Sequence, residues 1–378
     1  MLMNFKDVIF SNIYKSPSAF GLDISDFSIK IAQFKKRKKG FDLRSINRIS
    51  LGEGIIEGGE IKNDKKLIEA LRKIIGETKG EKIRTKYAVC SLPEQSAFVK
   101  ILKFPRMELN ELKEAIRWET EANIPFSLDE VYFDWQVLSS GKNKQIEVLI
   151  NAVPRRLVDK YLEVLTSAGI QPIVFEIEST ATARSLIKEG KDNKPVLIID
   201  LGFNRTSFVI FSSNGICFTN STSLVSNKQM LEDIAQKLNI DFKKAQALKF
   251  KIGLDFTNAT DEEKKIFNAL LPSLTKLAEK IQECTNFYQE YGDKDPACPG
   301  ISEILLCGGG ASLKGLAEYL SSRVKLPVLL GNPWVNILPE KNGKMDLKKI
   351  PIISYEESLA YATVFGLALR GAGFDCDL

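Results

Sequence analysis

Runs of alternating apolar and polar residues give way along the chain to runs with apolar residues every three or four positions, and these changes of period mark the elements. From Ala19 the text reads AFGLDI, a polar SDFS, IKIAQF, a basic KKRKK with Gly40, and FDLRSINRISL. Period-two runs separated by polar turns predict strand, turn, strand, hairpin tip and strand. Residues 64–75 place Leu67, Ile68, Leu71 and Ile74 or Ile75 at helical spacing, so an amphipathic helix closes a first β-β-β-α unit.

YAVCSL and SAFVKILKFP read as two more strands. They precede a helix in ELNELKEAIRWETEANIP, with Leu109, Leu112, Ile116 and Asn123 on one face and Pro125 as its stop. VYFDWQVLS and KQIEVLINAVP, joined by a turn at Ser140, Gly141, Lys142 and Asn143, complete an α+β module expected over residues 87–153. RRLVDKYLEVLTSAG predicts a helix burying Leu157, Val158, Tyr161, Val164, Leu165 and Ala168, ended by Gly169 at a left-handed position. A strand, PIVFEIE, and another helix follow, and the polar KEGKDNK sets a domain boundary at residues 191–194.

PVLIID opens a second block of similar order. Residues 208–211 and 216–218 flank Ser212, Ser213, Asn214 and Gly215 in a hairpin pattern. Helices are expected over 228–238 and 242–250. A long one starts at Thr260, which forms a capping box with Glu263, and keeps its period through Phe267, Leu270, Leu274, Leu277, Ile281, Cys284 and Tyr288, with a kink at Pro272. EILLC, GGGASLKGLAEYLSSRV and PVLL read as strand, glycine turn, helix and strand.

Composition narrows the function. The 378 residues suffice for two or three domains, and 44% hydrophobic with 27% charged residues is the balance of a soluble globular protein. With no histidine, a Ser-His-Asp or Cys-His catalytic pair and any His-ligated metal are excluded. A net charge of +5 is too mild to imply nucleic acid, so none is expected as a partner. The six cysteines form no CxxC pair, which fits reduced thiols in a cytosolic protein. The first twenty residues are broken by Lys6, Asp7, Asn12 and Lys15 and hold no signal-peptide core. The uncharged stretch 206–227 is rich in Ser, Thr and Asn and makes no bilayer-spanning helix.

Three features carry candidate chemistry. Asp23 ends a strand and is followed by the polar turn Ser25, Asp26, Phe27, Ser28 and then Lys30; Asp200 ends VLIID and is followed by Gly202, Asn204, Arg205, Thr206 and Ser207. Carboxylates at two equivalent strand ends can hold a hydrated Mg²⁺ while turn N–H groups and hydroxyls face a polyphosphate. Gly308, Gly309 and Gly310 stand between a strand and a helix, which lets backbone approach a base or sugar and aims a helix N-terminus at it. Each feature alone also reads as ordinary turn chemistry; their order suggests one nucleotide cleft. The KKRKK run reads as a solvated hairpin tip or, functionally, as a contact for anionic lipid. Trp118 lies off the apolar stripe of its helix, beside Ala115 and Ala122, and either packs on a neighbouring strand or anchors a partner.

This order of Asp23 turn, Asp200 turn and glycine triplet resembles the phosphate and adenosine loops of the actin-like ATPase superfamily. The stretches IRWETEANIPFSLDEVYFDWQVL, NAVPRRLVDKYLEVLTSAG and YATVFGLALRG resemble the PilM family of type IV pilus assembly, over residues 20–371. The resemblance implies an α/β, actin-like (ribonuclease H-like) two-lobe ATPase fold with an inserted α+β subdomain. Its expected parts are an N-terminal extension (1–19), a first lobe (20–86 and 154–194), the insertion (87–153), a second lobe (195–350) and a C-terminal helix returning to the first lobe (351–378).

The resemblance also implies ATP and Mg²⁺ as cofactors and a PilN N-terminal cytoplasmic peptide as partner, with the pilus motor ATPases reached indirectly and the membrane through the partner. The place would be the cytoplasmic side of the inner membrane, and pilus and type II secretion systems both remain open. It carries over Asp23, Ser28, Lys30, Asp200, Gly202, Thr206, Lys249 and the three glycines, with Ser25, Asp26, Asn204, Arg205 and Gln246 beside them; Asp23 and Asp200 would serve the metal. The chain departs from the family pattern where Ser25 and Asp26 replace Gly and Ser, where Val225 and Ser226 replace Gly-Gly, and where Gln246 replaces Glu. No general base stands out, so an ATP-binding scaffold with weak or no turnover is expected; the alternatives are a phosphotransferase of the sugar-kinase class and an FtsA-like division protein. The short acidic end GAGFDCDL argues against the last.

Overall fold

The computed structural model describes residues 18–140, 145–189, 194–212, 215–254, 260–291, 300–341, 344–345 and 352–374. The expected turn at 141–143, the linker 191–193, the hairpin residues Ser213 and Asn214, the extension 1–17, Cys298, Cys376 and the end 375–378 lie outside them.

In chain order the first part contains β1 (Phe20–Ile24), β2 (Ser28–Lys36), β3 (Phe41–Ser50), a two-residue hairpin of β4 (Ile56–Glu57) and β5 (Glu60–Ile61), α1 (Asp64–Gly76), β6 (Lys79–Gly80) and β7 (Tyr87–Leu92). Then come β8 (Phe98–Pro105), α2 (Leu109–Asn123), β9 (Val131–Ser140), β10 (Gln145–Pro154), α3 (Arg155–Ser167), β11 (Gln171–Ile177) and α4 (Glu178–Leu186). Six strands form one sheet in the order β11-β7-β1-β2-β3-β6, with β1, β7 and β11 parallel and β1-β2-β3 an antiparallel meander.

Leu67, Leu71 and Ile74 of α1 and Leu157, Val158, Tyr161, Val164 and Leu165 of α3 cover one face of this sheet. Burial of each such aliphatic side chain contributes about 1.5–3 kcal/mol. Gly169 follows α3 with φ 88°, the left-handed end expected there.

The module of β8, β9 and β10 is a separate three-stranded sheet, ordered β8-β10-β9, with Leu112 and Ile116 of α2 packed on Phe104, Val148 and Ile150. Three expectations change here. β7 pairs between β1 and β11 in the large sheet, so the separate sheet starts at Phe98 rather than at residue 87. Leu109, expected on the buried face of α2, is exposed, and Thr120 occupies that face instead, its hydroxyl donating to the Ile116 carbonyl. Trp118 does not pack on a strand: it is 70% exposed.

The second lobe repeats the meander. β12 (Val196–Leu201), β13 (Thr206–Ser212) and β14 (Gly215–Thr222) are followed by α5 (Asn227–Leu238), α6 (Phe242–Ile252), α7 (Asp261–Tyr291), β15 (Glu303–Cys307), α8 (Leu316–Val324) and β16 (Val328–Leu330). The sheet order is β14-β13-β12-β15-β16. The capping box at Thr260 and Glu263 is present, and α7 runs through Pro272. The helix expected directly after the glycine triplet begins only at Leu316, past a run of turns.

The final helix, α9 (Ala362–Gly371), returns to the first lobe and packs Val364, Phe365, Ala368 and Leu369 against Ala32, Phe34 and Ile46 on the other face of the six-stranded sheet. It crosses α4 so closely that a Cβ on Gly366 would stand 1.7 Å from the Ala181 carbonyl oxygen. Only glycine fits that crossing.

Candidate functional site

Each lobe presents the same local unit: a strand ending in Asp, an antiparallel partner returning, and a parallel neighbour beside the first strand. In the first lobe the register pairs Asp23 with Lys30 and Leu22 with Cys90; in the second it pairs Asp200 with both Ser207 and Cys307. The two units face one another across an open cleft lined by Asp23, Lys30, Asp200 and Thr363.

Asp23 is buried and doubly bonded. Its Oδ2 accepts from Lys30 Nζ at 2.7 Å and its Oδ1 from Ser91 Oγ at 3.0 Å. Burial pushes the Asp200 carboxyl above its ordinary value, against the pull of Lys30, and the negative Asp23 adds to the rise. Asp200 is confined by Gly308, whose φ is 84° and where a Cβ would come within 2.2 Å of Asp200 Oδ1. Any side chain there would displace the carboxylate.

The first turn is braced from below. Ser25 N–H donates to the Ser28 carbonyl and Ser25 Oγ accepts from Ser28 N–H. The Asp26 carboxylate accepts from Gly58 N–H at 3.0 Å and Gly59 N–H at 2.8 Å, so its charge is met by the β4–β5 turn. Two N–H donors thus offset the negative charge of this side chain.

The second turn carries Gly202, Asn204 and Arg205 into the cleft. Arg205 Nη2 donates to Glu178 Oε2 at 2.7 Å, which also accepts from Glu94 N–H, while Ser179 N–H donates to Glu94 Oε2. The Glu178 carboxyl is pushed up to about 7 by burial, against Arg205. Arg205 Nη1, Glu94 Oε1 and Ser179 Oγ are buried with no hydrogen-bond partner among the described residues. One donor and two oxygen atoms thus stand unmatched beside the cleft, which is costly unless a ligand or water completes them.

Of the residues singled out from sequence, Asp23, Ser25, Asp26, Ser28, Lys30, Asp200, Gly202, Asn204, Arg205, Gly308 and Gly309 line the cleft. Four do not. Thr206 points into the lobe and donates to the Val225 carbonyl; Gln246 is exposed on α6. Gly310 ties its N–H to the Leu201 carbonyl. Lys249 is buried, donates to Asn227 Oδ1, and is lowered by desolvation to about 8; through Asn227, which does line the cleft, it reaches the site at second hand. Sequence reasoning missed Phe203, Arg48, Glu178 and Thr363, which also line the cleft. For Glu178 the sequence shows only an acid at the strand-to-helix junction FEIEST.

Comparison with known proteins extends the geometry. The family model described as type IV pilus assembly protein PilM matches residues 21–372. Type II secretion system protein L of Xanthomonas campestris is 34% identical over 68 residues, 18% of either chain, and cell shape-determining protein Mbl of Bacillus cereus is 26% identical over 160 residues, 36% of this chain and 48% of that one. These alignments thus span less than half of the curated relatives' lengths. A solved PilM-PilN type IV pilus biogenesis complex superposes with TM-score 0.77 and 24% identity, covering 94% of this chain and 99% of that one. MreB5 of Spiroplasma citri bound to ADP gives TM-score 0.51 and 16% identity over 84% of this chain and 92% of that one. The architecture is the α/β actin-like ATPase fold.

Proposed function

The chain belongs to the family of type IV pilus assembly protein PilM, and on that premise we propose that it is a nucleotide-controlled adaptor at the cytoplasmic face of the inner membrane. The match of the family model to residues 21–372 carries this reading. The partner proposed is the N-terminal cytoplasmic peptide of a PilN-type protein, and the likeness to the solved PilM-PilN complex supports that partner; its proposed seat lies between the first lobe and the β8-β10-β9 sheet. No described helix is long and apolar enough to cross a membrane; the proposed partner supplies one tie to the bilayer, and through it to the motor ATPases.

The ligand proposed for the cleft is ATP. Lys30 and the free Nη1 of Arg205 supply positive donors for phosphate oxygens, and the backbone of Gly308 and Gly309 lines the same cleft. Among the described residues no cluster of three or more metal-ligating side chains exists. Two carboxylates, Asp23 and Asp200, nevertheless fit Mg²⁺, which keeps most of its waters and shares phosphate oxygens. When bound, the ion would neutralise phosphate charge between these acids.

Binding at residues drawn from both lobes favours their closed arrangement, and a peptide seated against the first lobe senses that shift. Coupling rather than turnover is the proposed role. Retention of the chain on an immobilised PilN N-terminal peptide, compared with and without Mg-ATP, tests it: no retention in either state rejects the reading, and phosphorylation of a sugar in place of retention establishes the phosphotransferase alternative.

A further inference from the structure

The registers of the six-stranded sheet bring several chain segments to one end of it. Phe20 pairs with Ala88 and Gly21 with Ala32, while Lys36 pairs with Phe41, so the starts of β1 and β7 and the β2–β3 tip lie together. The end of α9 lies there too: Ala19 N–H donates to the Gly371 carbonyl, and Lys36 Nζ donates to that of Gly373 at 2.8 Å. At this end Lys35, Lys36, Arg37, Lys38 and Lys39 are all exposed, with Arg84 and Lys86 leading into β7. The tip and β7 are two strand positions apart, about 10 Å at the usual spacing.

This charge is little compensated. Arg37 pairs with Asp42, but Lys35, Lys38 and Lys39 have no carboxylate within ion-pair reach among the described residues. The rings of β2 and β3 beside the tip, Phe34 and Phe41, are buried, and Phe374 packs edge-on against Phe41. The tip thus offers cations but no fully exposed ring of the kind on which single-stranded bases stack. The chain before Ser18 joins the fold at this same end, and residues 1–17 include Leu2, Met3, Phe5, Val8, Ile9, Phe10, Ile13 and Tyr14. Exposed cations without carboxylate partners complement the phosphates of an anionic headgroup layer.

We infer that this end of the sheet is a contact surface for anionic phospholipid, centred on Lys35, Lys38 and Lys39, which sets the protein directly against the bilayer in addition to any partner. The surface is remote from the cleft and independent of the nucleotide reading.

Co-sedimentation of the full chain with vesicles tests this, using phosphatidylcholine alone and phosphatidylcholine mixed with phosphatidylglycerol. Binding is expected only to the mixed vesicles, falling as salt rises. The variant Lys35→Gln/Lys38→Gln/Lys39→Gln spares Lys36 and Arg37, which make the tip's own bonds, and should lose partitioning on the order of a hundredfold, from about fivefold per cation. Lys65→Gln/Lys66→Gln/Lys73→Gln removes the same charge from exposed positions on α1 and should bind as the parent does. Equal binding by parent and tip variant overturns the inference, as does equal loss in both variants. Capture of an oligonucleotide without capture by mixed vesicles also overturns it.

Discussion

The ring of Phe27 lies 3.6 Å, centroid to centroid, from that of Phe203, with 18° between their planes. One ring belongs to the turn after β1 and the other to the turn after β12, so the stack joins the two lobes at the cleft. Phe242 of α6 meets Phe203 edge-on at 6.3 Å. Ring pairs of this kind contribute about 0.5–1.5 kcal/mol beyond area burial.

Phe203→Ala should therefore loosen the lobes rather than unfold them. The expected loss of stability is about 1 kcal/mol, with faster amide exchange in both turns and unchanged exchange in β1 and β12. Slow exchange persisting in the turns would show that the stack does not link the lobes.

Asp200→Asn keeps the size of the side chain beside Gly308 while removing the charge that an ion would need. Mg-dependent ATP binding should fall below detection by calorimetry, with the circular dichroism and melting of the parent retained. Unchanged ATP affinity would remove Asp200 from the metal site.

What the sequence made legible followed from period and punctuation. The two aspartate turns could be read because each strand ends in Asp before a polar turn, and the meanders because their apolar residues alternate. The same alternation, applied one residue further, places Thr206 toward the core and Ser207 toward the cleft, as the structure has them. YAVCSL belongs to the large sheet because a parallel strand covered on both faces is apolar throughout, a signal that proximity in sequence to β8 obscured. Glu178 was hidden for another reason: its environment comes from Glu94 and Arg205, 84 and 27 residues away, and only folding brings them together.

Glu178 gives the fold a pH dependence of definite sign. Its folded value of about 7 exceeds the ordinary 4.5, so its contribution is complete below about pH 4.5 and is lost as pH rises through 7. The linked change is on the order of 3 kcal/mol. Denaturant melts of Glu178→Gln at pH 5.5 and 8 should show a smaller fall than the parent; identical slopes would mean the proton resides elsewhere.

Two residues before Glu178, Glu176 lies near the end of β11. Arg184 meets it through two hydrogen bonds of 2.6 Å and Arg370 of α9 through a third, and despite full burial these cations hold its carboxyl down to about 2. Arg184→Met leaves the carboxylate with the half-buried Arg370 alone, and breaking a buried pair from one side costs about 3–5 kcal/mol. Because a depressed acid contributes stability above its unfolded value and loses it as pH falls through the folded one, this deficit should be full at pH 7 and shrink below pH 4.5. Adding Glu176→Leu should recover most of the loss, since an apolar pair of similar volume needs no counter-charge. A double variant no more stable than the single one would place the cost in packing at the α4–α9 crossing instead of in the orphaned charge.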